Sequence, residues 1–171
     1  ISGKAMVIAT GSSPRRLEIP GEREFTGKGV SYCATCDGPL FRDKKLVVVG
    51  GGNAAVEEAL YLTRFASRVT VVHRRDRLRA DKILQDRALG SKKIDFVLNS
   101  ELKEIQGTKM VERVTIQNNK TDERQTLEVD GVFVYVGNSP NTDFARGVLH
   151  LDENGYIITD DNLQTSVEGI F

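Results

Sequence analysis

Cys33 and Cys36 are the only two cysteines in the chain, and they lie in a single Cys-x-x-Cys. That spacing suits a redox pair. If these residues open a helix, the free amides and the positive dipole end of the first turn favour the thiolate, which is the nucleophilic form. Asp37 follows directly and can trade a proton with the pair. Two other readings stay open at this point, half of a zinc site or two structural thiols. A zinc site usually needs a second pair of ligands at set spacing, and the two histidines, His73 and His150, stand alone and far apart. No metal site is therefore expected. A secreted disulfide scaffold would carry more cysteines, spread along the chain, so a cytoplasmic setting is expected.

A second constellation follows. Gly50-Gly51-Gly52-Asn53-Ala54-Ala55 fits the pattern G-x-G-x-x-A. In the pattern's logic Gly50 permits the tight turn and Gly52 lets backbone approach a pyrophosphate. Ala55 lets helix and strand pack closely, and the helix N-terminus offers unpaired amides to phosphate. About 20 residues on, where an NAD site usually carries an acid, stand His73-Arg74-Arg75, with Arg79 one helical turn later. Guanidinium groups there suit a 2′-phosphate through charge-assisted bonds, which predicts a preference for NADPH over NADH. His73 either lines that pocket or ends the strand. Asp76 lies nearby and could be mistaken for the NAD acid, and a solvated basic turn is the bland alternative.

These residues need elements to hold them. Lys45–Val49 is a β-branched run followed by glycines, as in a strand buried on both faces. Ala54–Phe65 carries apolar residues at helical spacing. Arg68–Val72 and Ile94–Leu98 read as further strands, and Asp81–Leu89 as a helix. A short helix is expected from Cys33 to near Arg42. Glu101–Gln106, Val111–Gln117 and Gln125–Val129 alternate polar and apolar, as in an antiparallel meander with a turn at Asn118-Asn119. Val132–Val136 returns to the buried parallel type. The order predicts a doubly wound, Rossmann-like α/β dinucleotide-binding domain with a parallel sheet and an antiparallel β-meander. Ala5–Thr10, Leu149–Ile158 and Thr165–Phe171 read as short strands outside it. Ser12–Val30, rich in Pro and Gly, reads as a linker over the surface. The expected division is 1–14, 15–137 and 138–171.

Composition narrows the classes. Hydrophobic residues make up 39% and charged residues 28% of the 171, an ordinary globular balance. Lys plus Arg equals Asp plus Glu at 24 each, so no net field favours nucleic acid or an anionic membrane. No apolar run approaches the roughly 20 residues of a spanning helix. The chain opens in mid-strand at Ile1-Ser2-Gly3 without Met, as a piece of a longer protein would.

A dithiol and a hydride donor need an electron mediator, and a flavin is the usual one. Cys33-Ala34-Thr35-Cys36-Asp37-Gly38, Gly50 to Ala59, His73-Arg74-Arg75-Asp76 with Arg79-Ala80, and Gly137-Asn138-Ser139-Pro140-Asn141-Thr142 together resemble bacterial-type, low-molecular-weight thioredoxin reductase. Order and spacing match over essentially the whole chain. The resemblance implies that NADPH reduces FAD, that the flavin reduces a Cys33–Cys36 disulfide, and that the dithiol reduces thioredoxin. It assigns attack to Cys33, the flavin-facing sulfur to Cys36 and proton donation to Asp37. It adds Gly137 to the nucleotide site and makes the stretches around Pro14 and Gly137 hinges between a nucleotide domain and a flavin domain. The family's flavin fingerprint lies upstream of residue 1 and its Ala-x-Gly-Asp element beyond Phe171. A homodimeric, FAD-containing parent is therefore expected, with NADPH binding but no flavin and no turnover from these 171 residues alone. A related flavin reductase with another protein partner, or a non-catalytic NADP-binding module, stays as the alternative.

Overall fold

The computed structural model describes residues 3–171, so Ile1 and Ser2 lie outside the described residues. The chain divides into two compact units, Arg16–Val136 and the pair of segments ending at Arg15 and beginning at Gly137.

In the unit Arg16–Val136, after strand β1 (Ser12–Pro14) of the other unit, the elements run β2 (Val30–Ser31), α1 (Ala34–Asp37) with a 3-10 turn Gly38–Phe41, β3 (Lys45–Val49) and α2 (Asn53–Leu62). Next come β4 (Arg68–Val72), α3 (Lys82–Leu89), β5 (Ile94–Val97), β6 (Ser100–Gly107), β7 (Val111–Asn118), β8 (Arg124–Glu128) and β9 (Gly131–Val134). Five strands form a parallel sheet in the order β2-β9-β3-β4-β5, and β6-β7-β8 form an antiparallel meander.

The alternation of β3 explains why the parallel sheet is apolar throughout. Leu46 and Val48 face a cluster with Ala55, Val56, Ala59 and Leu62 of α2. Val47 and Val49 face a second cluster with Leu102, Ile105, Val114 and Ile116 of the meander. The sheet is thus the middle of three layers, and each buried Val or Leu contributes roughly 1.5–3 kcal/mol. The helices match the apolar spacing, with α2 ending at Leu62, three residues before the expected Phe65, and Asp81 standing as the N-cap of α3 rather than inside it.

Some expectations fail here. Ser12–Val30 is not a surface linker. Phe25 and Val30 lie in the core and the Glu22 carboxyl is 0% exposed. Glu22 accepts the amides of Leu17 (2.9 Å) and Glu18 (2.8 Å) and the Tyr32 hydroxyl (2.8 Å), so a loop without regular structure is held by one satisfied buried carboxylate. Burial and that carboxylate push the Tyr32 phenol up to about 12.

In the other unit β1 pairs antiparallel with β10 (Asn138–Pro140), and the Gly137 carbonyl accepts from the Arg15 amide at 2.9 Å. Ala5–Thr10 does not form the expected buried strand. It makes one bridge, Met6 to Ile170, and Met6 and Val7 are exposed. Leu149–Ile158 and Thr165–Phe171 likewise reduce to isolated bridges. The Met6 and Ile8 amides do find acceptors in the Gly169 and Phe171 carbonyls, yet the pairing stays one bridge wide and leaves Met6 and Val7 exposed, so apolar composition alone does not make a buried strand.

Candidate functional site

Cys33 and Cys36 are joined in a disulfide with their Cα atoms 5.3 Å apart. Cys33 is the N-cap of α1, in extended conformation, and its sulfur accepts the Cys36 amide at 3.2 Å. The expected helix start is present, but α1 is a single turn continued by the 3-10 turn. Local amides rather than a long macrodipole therefore act on the sulfurs. Cys36 is exposed and Cys33 half-buried.

The acid beside the pair is held by a residue that sequence reasoning missed. Ser31, buried at the end of β2, donates to Asp37 Oδ2 at 2.6 Å, and its Oγ accepts the Cys33 amide at 3.1 Å. One small hydroxyl thus fixes both the carboxylate and the backbone of the first cysteine. A lone polar residue ending an otherwise apolar strand, two positions before a cysteine, was the available signal.

The glycine turn lies between β3 and α2 as expected. Gly50 has φ +146°, and a Cβ there would stand 2.4 Å from the Tyr135 carbonyl oxygen and 2.8 Å from Ala55 Cβ. Gly51 is glycine for another reason, because a Cβ would strike the His73 ring at 2.4 Å. Gly52, the N-cap of α2, faces open space, and no side chain caps the helix. The Asn53 side chain, expected at the ligand, is engaged with Asp81. Its amide donates to Asp81 Oδ2 at 2.8 Å and its carbonyl accepts the Asp81 amide at 2.7 Å. The amides of Arg79 (2.7 Å) and Ala80 (3.1 Å) donate to the Gly51 carbonyl. These bonds fold the loop after β4 over the turn.

That loop carries Arg74, Arg75 and Arg79, all exposed, and none pairs with a carboxylate among the described residues. Asn99 and Asn119 hold it from the meander side, donating to the Arg75 and Arg74 carbonyls. His73 is 5% exposed and its buried Nε2 has no hydrogen-bond partner. Burial first, then the charges of Arg79, Arg75 and Arg74, lower its pKa from the ordinary 6.5. The structure therefore brings His73, Arg79 and the Gly50–Ala55 turn together. It leaves a helix start and exposed guanidinium groups without carboxylate partners, a donor set whose chemistry fits a phosphorylated dinucleotide. Gly137, with φ +105°, lies in the other unit.

Tyr135, just past β9, touches both constellations. Its hydroxyl accepts the Ala34 amide at 2.7 Å and its backbone walls the Gly50 turn. Burial, with the Glu58 and Asp37 carboxylates adding to it against the Ala34 amide, pushes its phenol up to about 12. Glu58 of α2 has its own pKa raised, by burial first and then by Glu57. Among the described residues no group of three or more His, Cys, Asp or Glu could hold a metal ion. Nor is any helix there long and apolar enough to cross a membrane.

Fold and site define a Rossmann-like α/β unit that carries its own Cys-x-x-Cys disulfide. The pyridine nucleotide-disulphide oxidoreductase family profile matches residues 1–171, and the chain belongs to that family. It is 51% identical over 174 residues to a thioredoxin reductase of Peptoclostridium acidaminophilum and 54% identical over 172 residues to that of Chlamydia pneumoniae, each covering 98% of this chain and 55% of the relative. Among solved structures, Lactococcus lactis thioredoxin reductase superposes with TM-score 0.92 at 49% identity, and that of T. acidophilum with 0.91 at 36%. Each covers 98% of this chain and 55% of the other. The chain spans about half the length of the curated relatives it matches.

Proposed function

We propose that this chain is the NADPH-binding and dithiol-bearing part of an FAD-containing thioredoxin reductase. The observation that carries the reading is one packed unit holding both a Cys33–Cys36 disulfide and an open glycine turn flanked by unpaired arginines. Gly50 to Ala55 would receive the pyrophosphate, and Arg74, Arg75 and Arg79 the 2′-phosphate beside His73. NADPH and FAD, when bound, supply two electrons as hydride chemistry. The chain's own part is to accept them in the Cys33–Cys36 bond, which breaks to two thiols. Cys33 Sγ would then attack the partner disulfide, forming a mixed disulfide and releasing one partner thiolate; Cys36 Sγ attacks Cys33, re-forming the Cys33–Cys36 bond and releasing the second partner thiolate, and Asp37, oriented by Ser31, moves the proton. The segments 3–15 and 137–171 read as pieces of the flavin domain, with Gly137 at a hinge. The whole protein is proposed to be a cytoplasmic homodimer acting on thioredoxin and not on nucleic acid. The names of its relatives and the resemblance of Cys-Ala-Thr-Cys-Asp support the choice of thioredoxin.

The test is turnover of the full-length, FAD-loaded protein, followed as NADPH oxidation with oxidised thioredoxin. The reading predicts activity with NADPH and its loss in Cys36→Ser. Full turnover by that variant would refute it.

A further inference from the structure

Tyr135 lies on a path that neither motif contains. Its carbonyl oxygen packs so close to Gly50 that a single methyl would collide with it, and its own amide donates to the Val49 carbonyl at 2.8 Å. The backbone of Tyr135 is therefore part of the wall of the glycine turn. Its side chain packs in the cluster between sheet and α2, with Ala34 of α1 among the buried members. Its hydroxyl takes up the first amide of α1, one residue after Cys33. The amides at the start of a helix lack intrahelical partners, so this bond sets where the first turn of the dithiol helix sits. In the oxidised pair the same turn is further fixed by the Cys36 amide on the Cys33 sulfur. Opening the S–S bond removes the covalent link between Cys33 and Cys36, leaving the Cys36 amide–Cys33 sulfur bond and the Tyr135–Ala34 bond as the ties on that turn. Tyr135 thus connects the first turn of α1 to the wall of the glycine turn through one hydrogen bond and its own covalent frame.

Resting on the reading that the Gly50–Ala55 turn binds a pyridine nucleotide, we infer that Tyr135 is a positioning residue shared by the two sites, so that nucleotide binding and the oxidation state of Cys33–Cys36 are thermodynamically coupled through its hydroxyl. The oxidised pair holds the Tyr135–Ala34 bond, and that state binds the nucleotide more tightly. Coupling of this kind is reciprocal. A nucleotide that prefers the oxidised chain by some factor makes the pair harder to reduce by the same factor.

The experiment uses the 171-residue chain and NADP+, which cannot itself reduce the disulfide. NADP+ affinity is measured by calorimetry on the disulfide form and on the reduced form. In parallel the pair is equilibrated with glutathione, with and without saturating NADP+. The Cys33–Cys36 bond breaks as the S–S bond of oxidised glutathione forms, two thiol protons passing to the two cysteines. Alkylation and mass measurement give the ratio. The inference predicts affinity at least about threefold tighter for the oxidised chain, and a midpoint more negative by about 14 mV with NADP+, the same factor at 29.6 mV per tenfold. In Tyr135→Phe, which keeps the ring, the ratio should fall below about 1.5. Equal or weaker binding to the oxidised native chain overturns the coupling, as does a ratio unchanged in Tyr135→Phe. The native measurement decides even if that variant does not fold. Binding of NADP+ to neither form overturns the nucleotide reading as well, which tells the two failures apart.

Discussion

The two halves of the site are finished to different degrees. Around the dithiol most polar groups answer one another, although the buried Glu58 Oε2 of α2, whose charge acts on Tyr135, has no partner. Ser31 serves Asp37 and the Cys33 amide, Tyr135 serves Ala34, and the Cys33 sulfur serves Cys36. Around the glycine turn groups are left over. Gly52 faces open space, α2 starts uncapped, His73 Nε2 has no partner, and three arginines lack a carboxylate. Buried polar groups normally find partners, and those that do not call for an explanation. The first region carries its reactive atoms with it, so it can be complete in the polypeptide. On the proposed reading the second stays incomplete because NADPH would supply the missing charge.

The largest way to break this contrast is to fill the open region from within. Gly50→Ala puts a methyl 2.4 Å from the Tyr135 carbonyl at a φ that L residues avoid. It should cost about 3 kcal/mol of stability by denaturant unfolding and weaken NADPH binding by at least about 100-fold. Near-native stability and affinity would mean that the turn does not constrain the ligand.

A smaller effect sharpens the account of His73. Its folded pKa is depressed below the ordinary 6.5, so the folded state favours the neutral ring. The sign follows from linkage. The contribution is present above 6.5 and lost as pH falls through that value toward the lower folded one. Stability of the chain should fall on going from pH 7 to pH 5, and the fall should be shallower in His73→Asn. The difference is limited to about 1.4 kcal/mol per pH unit for one proton. Parallel curves for the two proteins would mean that the ring is not held neutral by burial and the arginines.

What was legible follows the range of the interactions. The strand, glycine turn and helix around Gly50, and the cysteine spacing, are local patterns set by neighbouring residues, and the layers followed from them. The supports were not legible. The Tyr135–Ala34 bond joins residues 101 positions apart, and Asn53 and Asp81 are 28 apart. No periodicity links such pairs. Gly51 was read with the glycine motif, but the clash that requires a glycine there comes from His73, just past the next strand and 22 residues on. Glu22 was hidden in a Pro- and Gly-rich stretch because composition reports turns but not what a turn is tied to. Ala5–Thr10 misled in the opposite sense, since its apolar residues lack a layer to bury against.

The central claim is that the open region is shaped for a 2′-phosphorylated dinucleotide. Calorimetric titration of the chain with NADPH and NADH, repeated with Arg74→Ala, tests it most directly. A charge-assisted bond contributes about 1.5–3 kcal/mol, or roughly 10- to 150-fold. The account predicts NADPH binding tighter than NADH by at least about tenfold, with most of that preference lost in Arg74→Ala. Equal affinity for the two nucleotides in the native chain, or a preference unchanged by the substitution, would contradict it.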